Sequence, residues 1–252
     1  MNDVPRHAIV RHRHETRRRS LTIARIEQVT PAMRRLVLAG AELAGFTSLS
    51  PDDHVKLFLP GSDGARRDYT PRHYDAEAGE LWVDFALHGT AGAAGPATEW
   101  ARAAAVGDAA EIGGPRGSAV VPNDFDWWWL IGDETALPAI ARRLKELPAD
   151  TPATTVVAVT SAEDQVYLPE RPGHRAIWVH RPEAAAADPA PLMAALAELT
   201  PPSGEGFVWM AGEAGVIRAV RGHVLDTLDH PPAWTKAAGY WVYGQADATE
   251  KY

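Results

Sequence analysis

The chain is 252 residues long, enough for two domains with real cores, and its 33 acidic against 25 basic residues give a net charge of −8 that argues against a general nucleic-acid binder. The lack of cysteine excludes disulfides, thiolate zinc, cysteine-ligated iron–sulfur clusters and cysteine nucleophiles, so redox chemistry must ride on a bound cofactor. There is no long apolar run and no apolar signal core at the N-terminus, which leaves the cytoplasm as the expected location and no membrane as a partner.

Residues 1–19 are rich in arginine, with His7, His12 and His14 interspersed, and show no apolar periodicity. They read as a basic, flexible tail, and no metal site is expected there. From residue 20 to 122 short strands follow one another: Leu21 to Ile26, Met33 to Leu38, the alternating run around Val55, Leu57 and Leu59, and Leu81 to His88. Turns fall at Thr30-Pro31, Pro60 to Gly64 and Asp75 to Gly79, a pattern that predicts a small antiparallel β-barrel. One helix interrupts it at Pro96 to Ala104.

From residue 123 to 246 the pattern changes. Trp127 to Ile131 is a continuous apolar run, as a strand buried on both faces requires. Thr154 to Val159, Ala176 to Val179, Phe207 to Met210 and Tyr240 to Tyr243 are further strands. Helices are predicted from Leu137, over Leu192 to Leu199 and over Val216 to Leu228. Strands alternating with helices indicate a parallel α/β sheet. Residues 247–252 read as a C-terminal tail.

Arg67-Asp68-Tyr69-Thr70-Pro71-Arg72 combines two guanidinium groups, an aromatic ring and a hydroxyl, the composition of a flavin clamp. The arginines suit pyrophosphate or ribose oxygens, Tyr69 an isoalloxazine face and Thr70 the ring nitrogen where a hydride arrives. Taken alone, the same run also reads as a polar strand edge. Gly95-Pro96-Ala97-Thr98 opens a helix with proline in its first turn, leaving free N–H groups for an anion. Gly113 to Gly117 is a tight turn holding Arg116, either a linker or an anion contact. Gly132-Asp133-Glu134-Thr135-Ala136-Leu137-Pro138 follows a buried strand, where α/β sheets bind nucleotides, yet its two acids suit helix capping and would repel a pyrophosphate. A nicotinamide near Thr135 is compatible with them.

In this order the motifs resemble the siderophore-interacting protein family, flavin-dependent ferric-siderophore reductases of the ferredoxin-reductase superfamily. The resemblance rests on Arg67-x-Tyr69-Thr70-x-Arg72, Asp84 to His88, Gly95 to Ala101, Gly107-Asp108, Gly114 to Gly117, Gly132 to Pro138, Ala211-Gly212-Glu213 and Gly239-Tyr240-Trp241. It implies an FAD-binding barrel followed by a nicotinamide-binding α/β domain. Arg67, Tyr69, Thr70 and Arg72 would hold the flavin, with Tyr69 and Thr70 at its reacting ring. His88 and Gly95, Pro96, Ala97 and Thr98 would take the pyrophosphate and adenosine side, and Thr135 and Trp241 would border the nicotinamide. The sequence departs from the family pattern at Pro71, usually a branched aliphatic residue, and at Val242, where a basic residue is common.

The implied activity is reduction of a ferric siderophore by NADH or NADPH through FAD, releasing Fe(II), in a monomer. Lys56, Arg116 and Lys236 are candidates for docking the anionic complex, each with a solvated surface charge as the plainer reading. Glu163 and Asp164 would disfavour a 2′-phosphate if they lie beside the nucleotide ribose. A flavin reductase or ferredoxin-linked electron-transfer protein of the same fold, and a non-enzymatic siderophore-binding module, are the alternatives. The first would turn over without a siderophore or need a protein donor, and the second would purify without flavin.

Overall fold

The structure, a computed structural model, describes residues 6–61, 64–89, 92, 94–245 and 248–252. Ser62 and Asp63 of the expected Pro60–Gly64 turn lie outside the described residues, as does the start of the expected N-terminal tail. The chain divides into two compact units. One is Ala8–Val121; the other is the described part of Pro122–Tyr252 together with Arg6 and His7.

The first unit holds β1 (Val10–Arg13), β2 (Arg18–Thr30), β3 (Met33–Ala39), β4 (Val55–Phe58), β5 (Arg66–Tyr69), β6 (Pro71–Asp75), β7 (Glu80–Ala86), α1 (Pro96–Ala103), β8 (Ala109–Gly113) and β9 (Gly117–Val120). Seven of its strands form one antiparallel sheet in the order β5-β4-β8-β2-β3-β7-β6. The two edge strands are consecutive in sequence, and the Tyr69 ring of β5 lies 4.2 Å from the Phe85 ring of β7, so the sheet curls towards closure. Period-two alternation turns Leu21 and Ile23, Leu36 and Leu38, and Val55 and Leu57 into the core. Each such side chain contributes roughly 1.5–3 kcal/mol by leaving water.

Residues 6–19 are not a flexible tail. β1 pairs antiparallel with β9, His12 facing Ser118 and Arg13 facing Gly117. A Cβ at Gly117 would collide with the His12 carbonyl oxygen, so the glycine is what lets the arm lie down. His7 is buried in the second unit, stacked on Phe125 at 3.9 Å. Charged residues on an exposed two-stranded ladder give no apolar periodicity, which is why the sequence reads as solvated there.

The second unit holds β10 (Trp127–Asp133), α2 (Leu137–Glu146), β11 (Ala153–Val159), β12 (His174–His180), α3 (Ala190–Ala197), β13 (Gly206–Glu213), α4 (Ala214–Gly222), β14 (Thr235–Trp241) and β15 (Glu250–Lys251). The sheet order is β12-β11-β10-β13-β14-β15, parallel except for the last strand. Every residue of β10 and of β13 is buried, as expected of strands covered on both faces. α2 buries Leu137, Ile140, Ala141 and Leu144 on one stripe. The last parallel strand starts at Thr235 rather than Tyr240 and ends at Trp241, and α4 ends at Gly222 before a π-turn over His223–Thr227. The C-terminal residues also pair: Lys251 and Glu250 face Ala238 and Gly239. Among the described residues no helix is long and apolar enough to cross a membrane.

Candidate active site

β5 ends at Tyr69, β6 begins at Pro71, and Thr70 forms the corner between them. Pro71 lacks an N–H, and the pairing of β6 with β7 slips between Pro71 and His73. The bulge leaves Pro71 and Arg72 buried in succession, where a regular strand would turn one of them outward. Arg72 is 6% exposed and its Nε has no partner among the described residues. An unmet buried N–H costs about 1–3 kcal/mol, which an incoming oxygen acceptor relieves.

Thr70, two positions before this arginine, is buried, and Tyr69 is half-buried. The Tyr69 ring packs on Phe85, whose ring lies 5.7 Å from Trp100 of α1, so one aromatic chain ties β5, β7 and α1 together. Burial pushes the Tyr69 phenol up, outweighing the lowering pull of Arg67, so it stays neutral. Arg67 is half-buried at the sheet edge, with Nη1 donating to the Arg66 carbonyl at 2.9 Å.

α1 starts at Gly95 with no side-chain cap. Glu99 turns back instead, its Oε1 accepting from the N–H groups of Gly92 at 3.0 Å and Ala94 at 3.2 Å. A Cβ at Gly95 would meet nothing within 4 Å, so the helix start is open to approach. Arg102 at the far end of α1 donates to the carbonyls of His88 at 3.4 Å and Gly89 at 2.6 Å, which fixes the turn carrying His88. An interior guanidinium with an unmet N–H, an aromatic platform and an uncapped helix start together fit a flavin dinucleotide: oxygen acceptors, a flat ring and a pyrophosphate.

The second unit collects Thr135 and Trp241 around one carboxylate. Asp133, at the carboxyl end of β10, accepts from the Thr135 N–H at 2.9 Å and from its hydroxyl at 2.5 Å. Its other oxygen accepts from Trp241 Nε1 at 2.9 Å and from the Glu213 N–H at 2.8 Å. A small cavity lined by Gly132, Asp133, Arg181, Asp188 and Glu213 opens there, where the crossovers leave β10 and β13 in opposite directions. That is the topological switch point at which α/β sheets bind nucleotides.

The two acids do not cap α2, contrary to the expectation. The α2 N-cap is Ala136, without a side-chain bond. Asp133 closes a turn and a cross-sheet link, and Glu134 forms a buried ion pair with Arg181 at 2.8 Å. Burial first, and then the Asp133 charge, push Glu134 up to about 7 against the pull of Arg181. Asp164 is 2% exposed and does not present a carboxylate to a ribose, whereas Glu163 is exposed.

The expected docking cations are not alike. Lys56 is paired with Asp68 at 2.8 Å, a cross-strand partner that follows from the β4–β5 register. Arg116 is exposed. Lys236 is half-buried on β14, in register with Trp209, and belongs to the other unit. Sequence reasoning missed Arg181 and the central role of Asp133. The signal for both was position, each lying at or just past the carboxyl end of a parallel strand, β10 for Asp133 and the edge strand β12 for Arg181.

Residues 22–66 and 61–119 match the siderophore-interacting FAD-binding domain, and residues 125–244 match the siderophore-interacting protein domain. The NADPH-dependent ferric-chelate reductase of Escherichia coli (strain K12) is 35% identical, over 96% of this chain and 99% of that protein. A siderophore utilization protein from T. fusca superposes with a TM-score of 0.87 at 32% identity, over 96% of this chain and 98% of its own. The siderophore-interacting protein SipS from Aeromonas hydrophila does so with a TM-score of 0.77 at 30% identity, over 92% and 94%. With both units matched in order along nearly its whole length, the chain belongs to the siderophore-interacting protein family.

Proposed function

We propose that the protein is an NAD(P)H-dependent, FAD-containing reductase of ferric siderophores, releasing iron as Fe(II), and that it works as a cytoplasmic monomer. The observation that carries this reading is the bulge at Arg72, which buries a guanidinium whose Nε has no partner among the described residues, two positions from Thr70. A purely structural strand edge has no reason to bury that donor.

When bound, FAD supplies the conversion between a two-electron nicotinamide donor and Fe(III), which accepts one electron at a time. Arg67 and Arg72 neutralise and orient oxygen acceptors. The α1 start takes the pyrophosphate through its free N–H groups. Tyr69 supplies a neutral aromatic face, and Thr70 a hydroxyl at the reacting ring. Asp133 locks Thr135 and Trp241 so that the nucleotide end of the α/β unit is fixed before substrate arrives. Arg116, exposed and charged, attracts an anionic ferric complex, with Lys56 adding to the field and Lys236 the candidate cation of the α/β unit. Lys56 contributes less than its charge suggests because Asp68 offsets it. The E. coli relative's name supports the nicotinamide donor and the ferric acceptor. Nicotinamide oxidation that depends on an added ferric siderophore and yields trapped Fe(II) tests the proposal.

A further inference from the structure

The barrel unit contains a second polar cavity, of about 270 Å³, away from the residues assigned to flavin. It is lined by Arg13 at the end of β1, His14, Glu15, Arg19 of β2, Thr47 and the Gly114-Pro115 turn. Arg19 is 5% exposed, so its charge is largely withdrawn from water. Its Nε donates to the Glu42 carbonyl at 3.0 Å, and Nη1 to the carbonyls of Arg17 at 3.3 Å and Gly114 at 3.1 Å. The Phe46 ring centre lies 5.4 Å from its Cζ. The nearby Glu42 carboxylate is engaged elsewhere, accepting from the Ser20 N–H at 2.7 Å. Among the described residues neither Arg19 nor Arg13 forms an ion pair. Burial, and then the Arg17 charge, lower the Arg19 pKa, and the Glu15 and Glu42 carboxylates oppose them only in part, so a counter-anion in the cavity would offset what remains of the desolvation penalty.

We infer that this cavity is a binding site for a small multivalent oxyanion, a polycarboxylate or polyphosphate, held between Arg19 and Arg13. Two guanidiniums face one carboxylate, Glu15, so the lining carries net positive charge. His14 is anchored through Nε2 to Ser118 Oγ at 2.7 Å, which leaves Nδ1 as a further polar contact. The volume lies just below the ~300–1,000 Å³ range of ordinary ligand pockets, which suits citrate or pyrophosphate and excludes a dinucleotide or a whole ferric siderophore. The arm builds the site: without β1 pairing on β9, Arg13 and His14 have no fixed place. The charged N-terminal stretch thus acquires a role that the flavin and nicotinamide chemistry does not use.

Isothermal titration of the full-length, FAD-loaded protein with citrate, pyrophosphate and inorganic phosphate at low ionic strength tests this. Loading with FAD keeps the dinucleotide's own pyrophosphate site filled, so the titration reads the other site. Citrate and pyrophosphate should each bind once per chain, and phosphate more weakly. Arg13→Glu, at an exposed position, should weaken binding by at least about tenfold, which corresponds to ~1.4 kcal/mol. Arg19→Lys, which keeps the charge but loses the fork, should weaken it while the flavin absorbance reports an intact barrel. No saturable binding of any probe would overturn the assignment. Equal affinity in wild type, Arg13→Glu and Arg19→Lys would also overturn it, by showing an adventitious ion only. Neither result bears on ferric reduction, which is measured separately.

Discussion

Trp241 on β14 reaches Asp133 on β10 across the intervening strand β13, its Nε1 donating to Oδ2 at 2.9 Å. Gly212 of β13 makes that possible. A Cβ there would lie 2.6 Å from the same oxygen. The second and third glycine-bearing motifs of the α/β unit therefore meet at one carboxylate. Gly212→Ala should destabilise the unit by roughly 1–3 kcal/mol through overpacking and raise the nicotinamide KM. Trp241→Phe removes one bond to a charged acceptor and should cost about 1.5–3 kcal/mol with the flavin spectrum unchanged. Urea unfolding followed by tryptophan fluorescence measures both, and wild-type stability in Gly212→Ala would show that Asp133 has room to move.

Glu134 makes stability depend on pH. Its carboxyl, raised from 4.5 to about 7 chiefly by burial, favours the native state while it stays protonated there. That contribution is complete below the unfolded value near 4.5 and is lost as pH rises through about 7. The loss is on the order of 3 kcal/mol, at ~1.4 kcal/mol for each tenfold change in proton affinity. Glu134→Gln should flatten the profile between those two values. An unchanged slope would mean that Arg181 keeps Glu134 ionised throughout.

The arm should matter to stability. Burial works against a charged His7, but its hydrogen bonds to the Glu205 and Asp124 carboxylates outweigh it and raise its pKa. Such a raised histidine stabilises the fold fully below 6.5 and loses that effect as pH rises through its folded value. Deleting residues 1–13 removes both this anchor and β1, and the melting temperature should fall by at least a few degrees, at about 2–4 °C per kcal/mol. His7→Gln should lose stability at pH 6 and little at pH 8. A truncated protein with the wild-type melting temperature would return the arm to the status of a tail.

Much of this architecture is legible in the chain. Alternation marks the barrel strands, and the continuous run Trp127 to Ile131 marks a doubly covered parallel strand. The strand at Thr235 is hidden because Lys236-Ala237-Ala238 has little strand character of its own, and pairing with β13 recruits it. β1 is hidden for the same reason, its pairing with β9 supplying what its residues do not. The residues proposed for the flavin between Arg67 and Arg72 are contiguous, so composition alone suggests them, although the same run also reads as a polar strand edge. Asp133 is different: its partners lie 80 and 108 positions away, and only the sheet order brings them within reach. The Lys56–Asp68 pair likewise needs a register, which composition does not supply.

Arg72→Leu should lower FAD affinity by about ten- to a hundredfold, the loss of a charge-assisted bond of ~1.5–3 kcal/mol, while the barrel stays folded because its buried Nε has no partner to lose. Thr70→Val should act otherwise, shifting the flavin potential or slowing its reduction more than it weakens binding, for one neutral bond worth ~0.5–1.5 kcal/mol. Fluorescence titration with FAD separates the two. Equal FAD affinity in Arg72→Leu and wild type would remove Arg72 from the flavin site.

Reduction of siderophore-held iron is tested most directly by anaerobic steady-state turnover with a ferrous trap. NADPH or NADH oxidation by the FAD-loaded protein should rise on adding a ferric siderophore, with two Fe(II) trapped per nicotinamide oxidised, since each Fe(III) takes one electron. The rate should fall with salt for an anionic complex and fall further in Arg116→Ala. Nicotinamide oxidation at the same rate with and without the ferric complex, and no trapped Fe(II), would contradict the account.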